Sequence, residues 1–253
     1  MGDLLWSLAT VKAVKGEDPK GLIVSPYCEP LIPLLRAQPY LDSVTVDNLW
    51  DVEFSAPVKP WKAPGAPEGS IHLSMREWPG PTLGEYYPRL LEREYDIPRP
   101  EVKWGEPWFT VHKRSGGTPY ILVSFTDEYA EIKAGWWGAL LKAFEDDWTL
   151  LLSLAPDQRL GRDFTLCGAY AEHNVEKLAS LVGNAALVIG DNSMIHPLSV
   201  GLGVKTLIAE PQRMRNQPVF RAPSGCKNVT YWGTEESPAL NSFELVEHVR
   251  RLL

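Results

Sequence analysis

The feature that most restricts this chain is an alternation. Short apolar runs take turns with segments of helical pattern, most cleanly after Tyr120. A helix between two strands carries the chain back across the sheet, so the strands it joins lie parallel. Here Tyr120–Phe125, Thr149–Leu154, Ala186–Ile189 and Lys205–Ala209 read as strands, and Gly138–Phe144 and Ile195–Val200 as helices. Asn174 is placed to cap a helix running through Val182. Asn241-Ser242-Phe243-Glu244 reads as a capping box that opens a last helix, to Leu253.

The first half is less regular. Leu4–Val14, Pro30–Ala37 and Gly84–Tyr95 read as helices, and Gly21–Ser25, Ser43–Val46 and Ile71–Ser74 as strands. The proline- and glycine-rich stretch Ala56–Gly69 reads as a loop. Ser115-Gly116-Gly117 suits a hinge, placed between residues 105 and 119. The expected fold class is α/β, with one unit over residues 1–110 and a second over 119–253, and a ligand cleft at the carboxyl ends of the strands.

Composition narrows the function. At 253 residues, 44% apolar and 23% charged, the chain is neither disordered nor fibrous. A net charge of −7 gives no electrostatic footprint for a polyanion. The 3 cysteines are far apart, with no zinc spacing and no disulfide framework, which fits a reducing cytoplasm. No apolar run is long enough to span a bilayer, and the first residues do not read as a signal peptide. A GxGxxG turn after a strand, a GxxxxGK[ST] loop, a GxSxG elbow and a zinc-binding histidine pair are all missing.

The segment Ala186–Leu198 carries the chemistry. A strand empties into the polar turn Gly190-Asp191-Asn192-Ser193, and a helix begins there. Free N–H groups and the positive end of a helix dipole favour a phosphate. Asn192 and Ser193 add small hydrogen-bonding side chains, His196 one turn on can point back at the same anion, and Asp191 can brace the turn or accept from a ligand hydroxyl. The same residues also suit ordinary helix-start chemistry.

The run Ala179–Thr206 resembles the donor-binding region of glycosyltransferase family 9, the ADP-heptose:lipopolysaccharide heptosyltransferase-like enzymes. Asp191 and His196 fall on that family's Asp-(Thr/Ser)-Gly-x-x-His, with Asn192 where Thr or Ser is usual and Ser193 where Gly is usual. Ser193 at the glycine position raises the expectation of a positive φ there. Leu202-Gly203-Val204-Lys205-Thr206 falls on the family's Gly-x-Pro-Thr. Gly2-Asp3-Leu4-Leu5-Trp6-Ser7-Leu8 is similar to its Gly-Asp signature, and Ser124–Trp136 resembles its strand, polar loop and Lys-x-Trp.

The resemblance implies a GT-B architecture: two Rossmann-like domains facing each other across a cleft, with no metal and no cofactor. It implies inverting transfer of a sugar from a nucleotide-sugar donor to an acceptor hydroxyl. Asp3 would be the general base; Ser124, Thr126, Lys133, Asp191, Asn192, Ser193 and His196 would hold the donor. The family places a strand before its Gly-Asp signature, where this chain has Met1, so a gap is expected in the first sheet with Gly21–Ser25 beside it. The acceptor is a glycan or a hydroxymethylated DNA base, for which the 10 Trp and 9 Tyr offer stacking surfaces. A non-catalytic nucleotide-sugar binding module and a sugar-nucleotide epimerase are the remaining readings.

Overall fold

The computed structural model describes residues 2–16, 19–47, 68, 70, 71, 73, 82–111, 118–124, 139–140, 142–144, 146–154, 169–171, 174–209, 220–232 and 242–253. Its main sheet has six strands, all parallel: β3 (Tyr120–Ser124), β4 (Thr149–Leu154), β5 (Ala169–Ala171), β6 (Leu187–Asp191), β7 (Thr206–Ala209) and β8 (Val229–Trp232). Their order across the sheet is β5-β4-β3-β6-β7-β8. The chain therefore works outward from β3 to one edge, then returns to the middle and works outward to the other. This is the order of a doubly wound nucleotide-binding sheet, with its switch point between β3 and β6.

The sequence explains why this sheet is parallel and central. Ile121, Leu122 and Val123 on β3, and Leu187, Val188 and Ile189 on β6, are all fully buried. A strand apolar on both faces needs cover on both faces, which is the signature of a parallel sheet between helical layers. Leu122 and Val188 join the apolar cluster that holds α4 (Val175–Asn184) and α5 (Ile195–Gly201). Ile121, Val123, Leu187, Ile189 and Leu207 join the cluster on the other face, with Leu140, Phe144 and the last helix, α6 (Ser242–Leu252). Asn174 caps α4, its Oδ1 accepting from the Glu176 and Lys177 backbone N–H groups at 2.9 and 3.2 Å.

In the first half, β1 (Gly21–Val24) and β2 (Ser43–Val46) form a second, two-stranded parallel sheet among the described residues. The helices described in this half are α1 (Gly2–Ala13), α2 (Ile32–Arg36) and α3 (Leu83–Tyr95), with a 3₁₀ turn at Pro26–Leu31. Thr82 opens α3 with a capping box: its hydroxyl accepts from the Glu85 N–H at 3.2 Å and donates to the Glu85 carboxylate at 2.9 Å. α1 is buried all round, from Leu5 to Thr10, because it lies between α3 and α5. α2 and the 3₁₀ turn pack on α4. One apolar cluster thus runs from the first half into the second.

One expectation changes: Ile71 and Leu73 lie in no strand, and their neighbours 72 and 74 fall outside the described residues. Within the span expected to hold the hinge, residues 107–111 are fastened. Trp108 and Phe109 are buried, and both donate backbone N–H groups to the Gly201 carbonyl, at 2.8 and 2.9 Å. The Trp108 indole donates to the Leu5 carbonyl at 3.2 Å, and Lys12 donates to the Pro107 carbonyl at 2.7 Å. Gln38 and Thr110 exchange two hydrogen bonds, at 3.1 and 2.8 Å. Residues 107–111 form a strap across α1, α5 and the end of α2. Ser115-Gly116-Gly117 lies outside the described residues.

Candidate functional site at the sheet switch point

The polar turn expected from the sequence stands at the switch point. Ser124 ends β3 in register with Gly190 of β6, and Asp191 ends β6 beside Ala209 of β7. Gly190 has a steric reason to be glycine. A Cβ there would lie 2.6 Å from the Ile195 Cγ2 and 3.1 Å from the Ser124 carbonyl oxygen. Its absence lets the strand end, the turn and the first residue of α5 close on one another.

The turn is built from Asp191. This residue is 1% exposed, and its carboxylate accepts from the Ser193 backbone N–H at 3.2 Å. The His196 N–H donates to the Ser193 carbonyl at 3.2 Å, and α5 begins at Ile195. The residue at its cap is Met194, and no side chain caps the helix. Asn192 and Ser193 are therefore not capping residues. Nor is Ser193 strained: Asp96 alone among the described non-glycine residues has a positive φ. The φ > 0 expected at Ser193 is corrected. The chain meets that demand later, at Gly203, with φ +74°.

His196 is drawn into the interior beside the turn. It is 1% exposed, and burial pushes its pKa down to about 3, so the ring is neutral. Its Nε2 lies 3.0 Å from the Tyr231 hydroxyl. That hydroxyl accepts from the Ala222 N–H at 2.5 Å, and the Arg221 guanidinium lies 5.2 Å from the Tyr231 ring centroid. On another side the Trp6 ring meets His196 edge-on, with centroids 5.3 Å apart. His196 thus ties α5 to α1 and to β8 as an uncharged group. Tyr231 was not singled out in the sequence, although Val229-Thr230-Tyr231-Trp232 carries the β-branched and aromatic residues of a strand.

Asp3 is exposed on the first turn of α1, and its charge helps to raise the pKa values of Cys28 and Tyr87, both raised mainly by burial. The start of α1 lies against the start of α5: a Cβ on Gly2 would sit 3.9 Å from the Pro197 ring. The structure therefore brings the Gly2-Asp3 end of α1 beside the helix that follows the Asp191–Ser193 turn. Thr126 and Lys133 lie outside the described residues. Among the described residues, Trp6, Trp108 and Trp232 are core and Trp104 and Trp148 pack against it, so these five are not offered for base stacking.

No family model and no curated protein matches the chain in sequence. Solved structures do match it in fold. ADP-heptose lipopolysaccharide heptosyltransferase II of E. coli superposes with a TM-score of 0.66 at 11% identity, over 99% of this chain and 95% of that one. A family 9 glycosyl transferase from Veillonella parvula superposes with a TM-score of 0.63 at 11% identity, over 99% and 94%. The E. coli heptosyltransferase WaaC, solved with ADP-2-deoxy-2-fluoro heptose, gives 0.51 at 12% identity, over 68% and 56%. In architecture, this chain has the fold of the family 9 glycosyltransferases.

Proposed function

We propose that the protein is a glycosyltransferase that moves a sugar from a nucleotide-sugar donor to an acceptor hydroxyl. The observation that carries this reading is the meeting of two elements. The polar turn Asp191–Ser193 stands at the switch point of a doubly wound sheet, where such folds bind nucleotides, and the Asp3 end of α1 lies beside the helix that follows it. The likeness in fold to heptosyltransferase II over nearly all of both chains supports it.

In this reading the architecture is GT-B, with residues 1–110 on the acceptor side and 119–253 on the donor side. The reaction is a metal-independent displacement with inversion. The acceptor oxygen attacks the anomeric carbon from the face opposite the diphosphate, and the Asp3 carboxylate takes the hydroxyl proton. The bond from the anomeric carbon to the diphosphate oxygen breaks, and its electron pair leaves with the diphosphate. Backbone N–H groups at the uncapped start of α5, the side chains of Ser124 and Ser193, and Thr126 and Lys133, which lie outside the described residues, meet the growing charge, while Asn192 completes the donor site. His196 contributes by fixing α5 against Tyr231 and Trp6.

The test is a thermal-shift panel of ADP-, GDP- and UDP-sugars, beginning with an ADP-heptose because heptosyltransferase II bears that sugar nucleotide in its name and WaaC was solved with ADP-2-deoxy-2-fluoro heptose. One class of nucleotide sugar should raise the melting temperature in proportion to the logarithm of its concentration. A panel without any shift would refute the reading. Binding without release of nucleoside diphosphate in the presence of any glycan acceptor would leave a binding module in its place.

A further inference from the structure

Asn192 is the residue of the turn that the fold itself does not explain. The side chains of Asp191 and His196 have partners within the protein. The Asn192 amide has none: both Nδ2 and Oδ1 are shielded from solvent and lack a hydrogen-bond partner. Buried polar atoms are nearly always paired, and an amide unpaired at both ends calls for an explanation. Local structure supplies none. The turn is closed by the Asp191 carboxylate on the Ser193 N–H and by the His196 N–H on the Ser193 carbonyl, and neither bond involves the amide. Helix α5 is capped by no side chain.

The chemistry of the amide limits what completes it. Nδ2 only donates, and Oδ1 only accepts. The oxygens of an ionised diphosphate only accept, so a diphosphate would satisfy Nδ2 and leave Oδ1 orphaned. A hydroxyl both donates and accepts, and neighbouring hydroxyls on a sugar ring can serve the two ends at once. A nucleotide sugar carries hydroxyls in two places, the ribose and the transferred sugar. The Asp3 end of α1 lies against Pro197, just after this turn. In the function proposed above, on which this step rests, the anomeric carbon must lie between the turn and Asp3. The ribose then lies beyond the diphosphate, away from Asp3. We propose that Asn192 is a specificity-determining residue that reads the hydroxyls of the transferred sugar, Oδ1 accepting from one and Nδ2 donating to another.

The experiment compares two sets of probes on the full chain by titration calorimetry. One set is free ADP, GDP and UDP; the other is ADP-glucose, GDP-mannose and UDP-glucose with the ADP-heptose. The proteins are wild type, Asn192→Ala and Asn192→Asp. The wild type should bind its nucleotide sugar more tightly than the matching free diphosphate. Asn192→Ala should lose about 10-fold in affinity for the nucleotide sugar, the scale of a hydrogen-bonded contact, and keep its affinity for the diphosphate within about 2-fold. Asn192→Asp, which keeps the acceptor and loses the donor, should weaken both sets, the diphosphate through like-charge repulsion. The melting temperature of unliganded Asn192→Ala should be no lower than wild type, because an unpaired amide is removed. Equal loss of both sets in Asn192→Ala would assign the amide to the phosphates or the ribose and overturn the proposal. A lowered melting temperature, or unchanged affinity for both sets, would overturn it too. A wild type that binds no probe in either set would instead refute the function proposed above.

Discussion

The Tyr231 hydroxyl and the His196 imidazole share a buried hydrogen bond. The hydroxyl oxygen accepts from the Ala222 N–H and lies 3.0 Å from Nε2 of His196. A hydroxyl proton directed at Nε2 makes Nε2 the acceptor and leaves the proton of the neutral ring on Nδ1, and the opposite tautomer reverses the bond. This contact joins β8, at the edge of the sheet, to the helix that follows the central turn, across 35 residues of sequence.

A first prediction concerns that pair. Tyr231→Phe removes the hydroxyl partner of Nε2 and the acceptor of the Ala222 N–H, and leaves both behind. The loss should be about 1–3 kcal/mol, read from urea unfolding. Nitrogen-resolved magnetic resonance of the wild type should report a single neutral tautomer of His196 at neutral pH.

The same residue sets a pH dependence. The folded-state pKa of His196 is about 3, against an ordinary value of 6.5. Between these two values the unfolded chain takes up a proton that the folded protein does not. The contribution of His196 is therefore fully present above pH 6.5 and is lost as pH falls toward 3, by up to about 1.4 kcal/mol per pH unit. Stability curves of wild type and His196→Gln from pH 7.5 to 4.5 should converge as the pH falls. Parallel curves would refute the buried neutral ring.

The strap makes a second stability prediction. Trp108→Phe keeps a ring in the buried slot between Gly201 and α1 but loses the indole bond to the Leu5 carbonyl. It should cost about 1–2 kcal/mol. Gln38→Ala leaves the Thr110 N–H and carbonyl without their partner and should cost about 1–3 kcal/mol. If 107–111 were a free linker, both variants would unfold at the wild-type urea midpoint.

Gly190→Ala tests the packing of the turn. The added methyl meets the Ile195 Cγ2 and a backbone carbonyl, neither of which is the far end of a flexible side chain. Overpacking of this kind costs about 1–3 kcal/mol and pushes the turn away from β3. Nucleotide-sugar affinity should fall together with stability, whereas an exposed substitution such as Lys227→Ala should leave both unchanged.

Asp3 is tested through catalysis. Asp3→Asn preserves shape and the exposed position on α1 but removes the proton acceptor. Transfer should be abolished while donor affinity holds, a loss in kcat with the donor dissociation constant unchanged. Undiminished transfer by this variant would exclude Asp3 as the base.

What the chain reveals by itself is what local physics dictates. The doubly apolar runs Ile121–Val123 and Leu187–Ile189 mark buried parallel strands, and Asn174 marks a helix start, because a strand's two faces and a helix's first N–H groups are satisfied within a few residues. The turn at Asp191–Ser193 was legible for the same reason. The roles within that turn were not. The sequence placed His196 within reach of a bound anion, but that it is buried and neutral follows only from the enclosure by Trp6, 190 residues away in sequence, and Tyr231. Residues 107–111 looked like part of a linker until Leu5, Gln38 and Gly201 fastened them. Burial, and the partners a polar atom finds or fails to find, are properties of segments that meet only after folding. The sequence alone sets the layers and the turn, and the tertiary structure decides that His196 is spoken for while the Asn192 amide still awaits a partner.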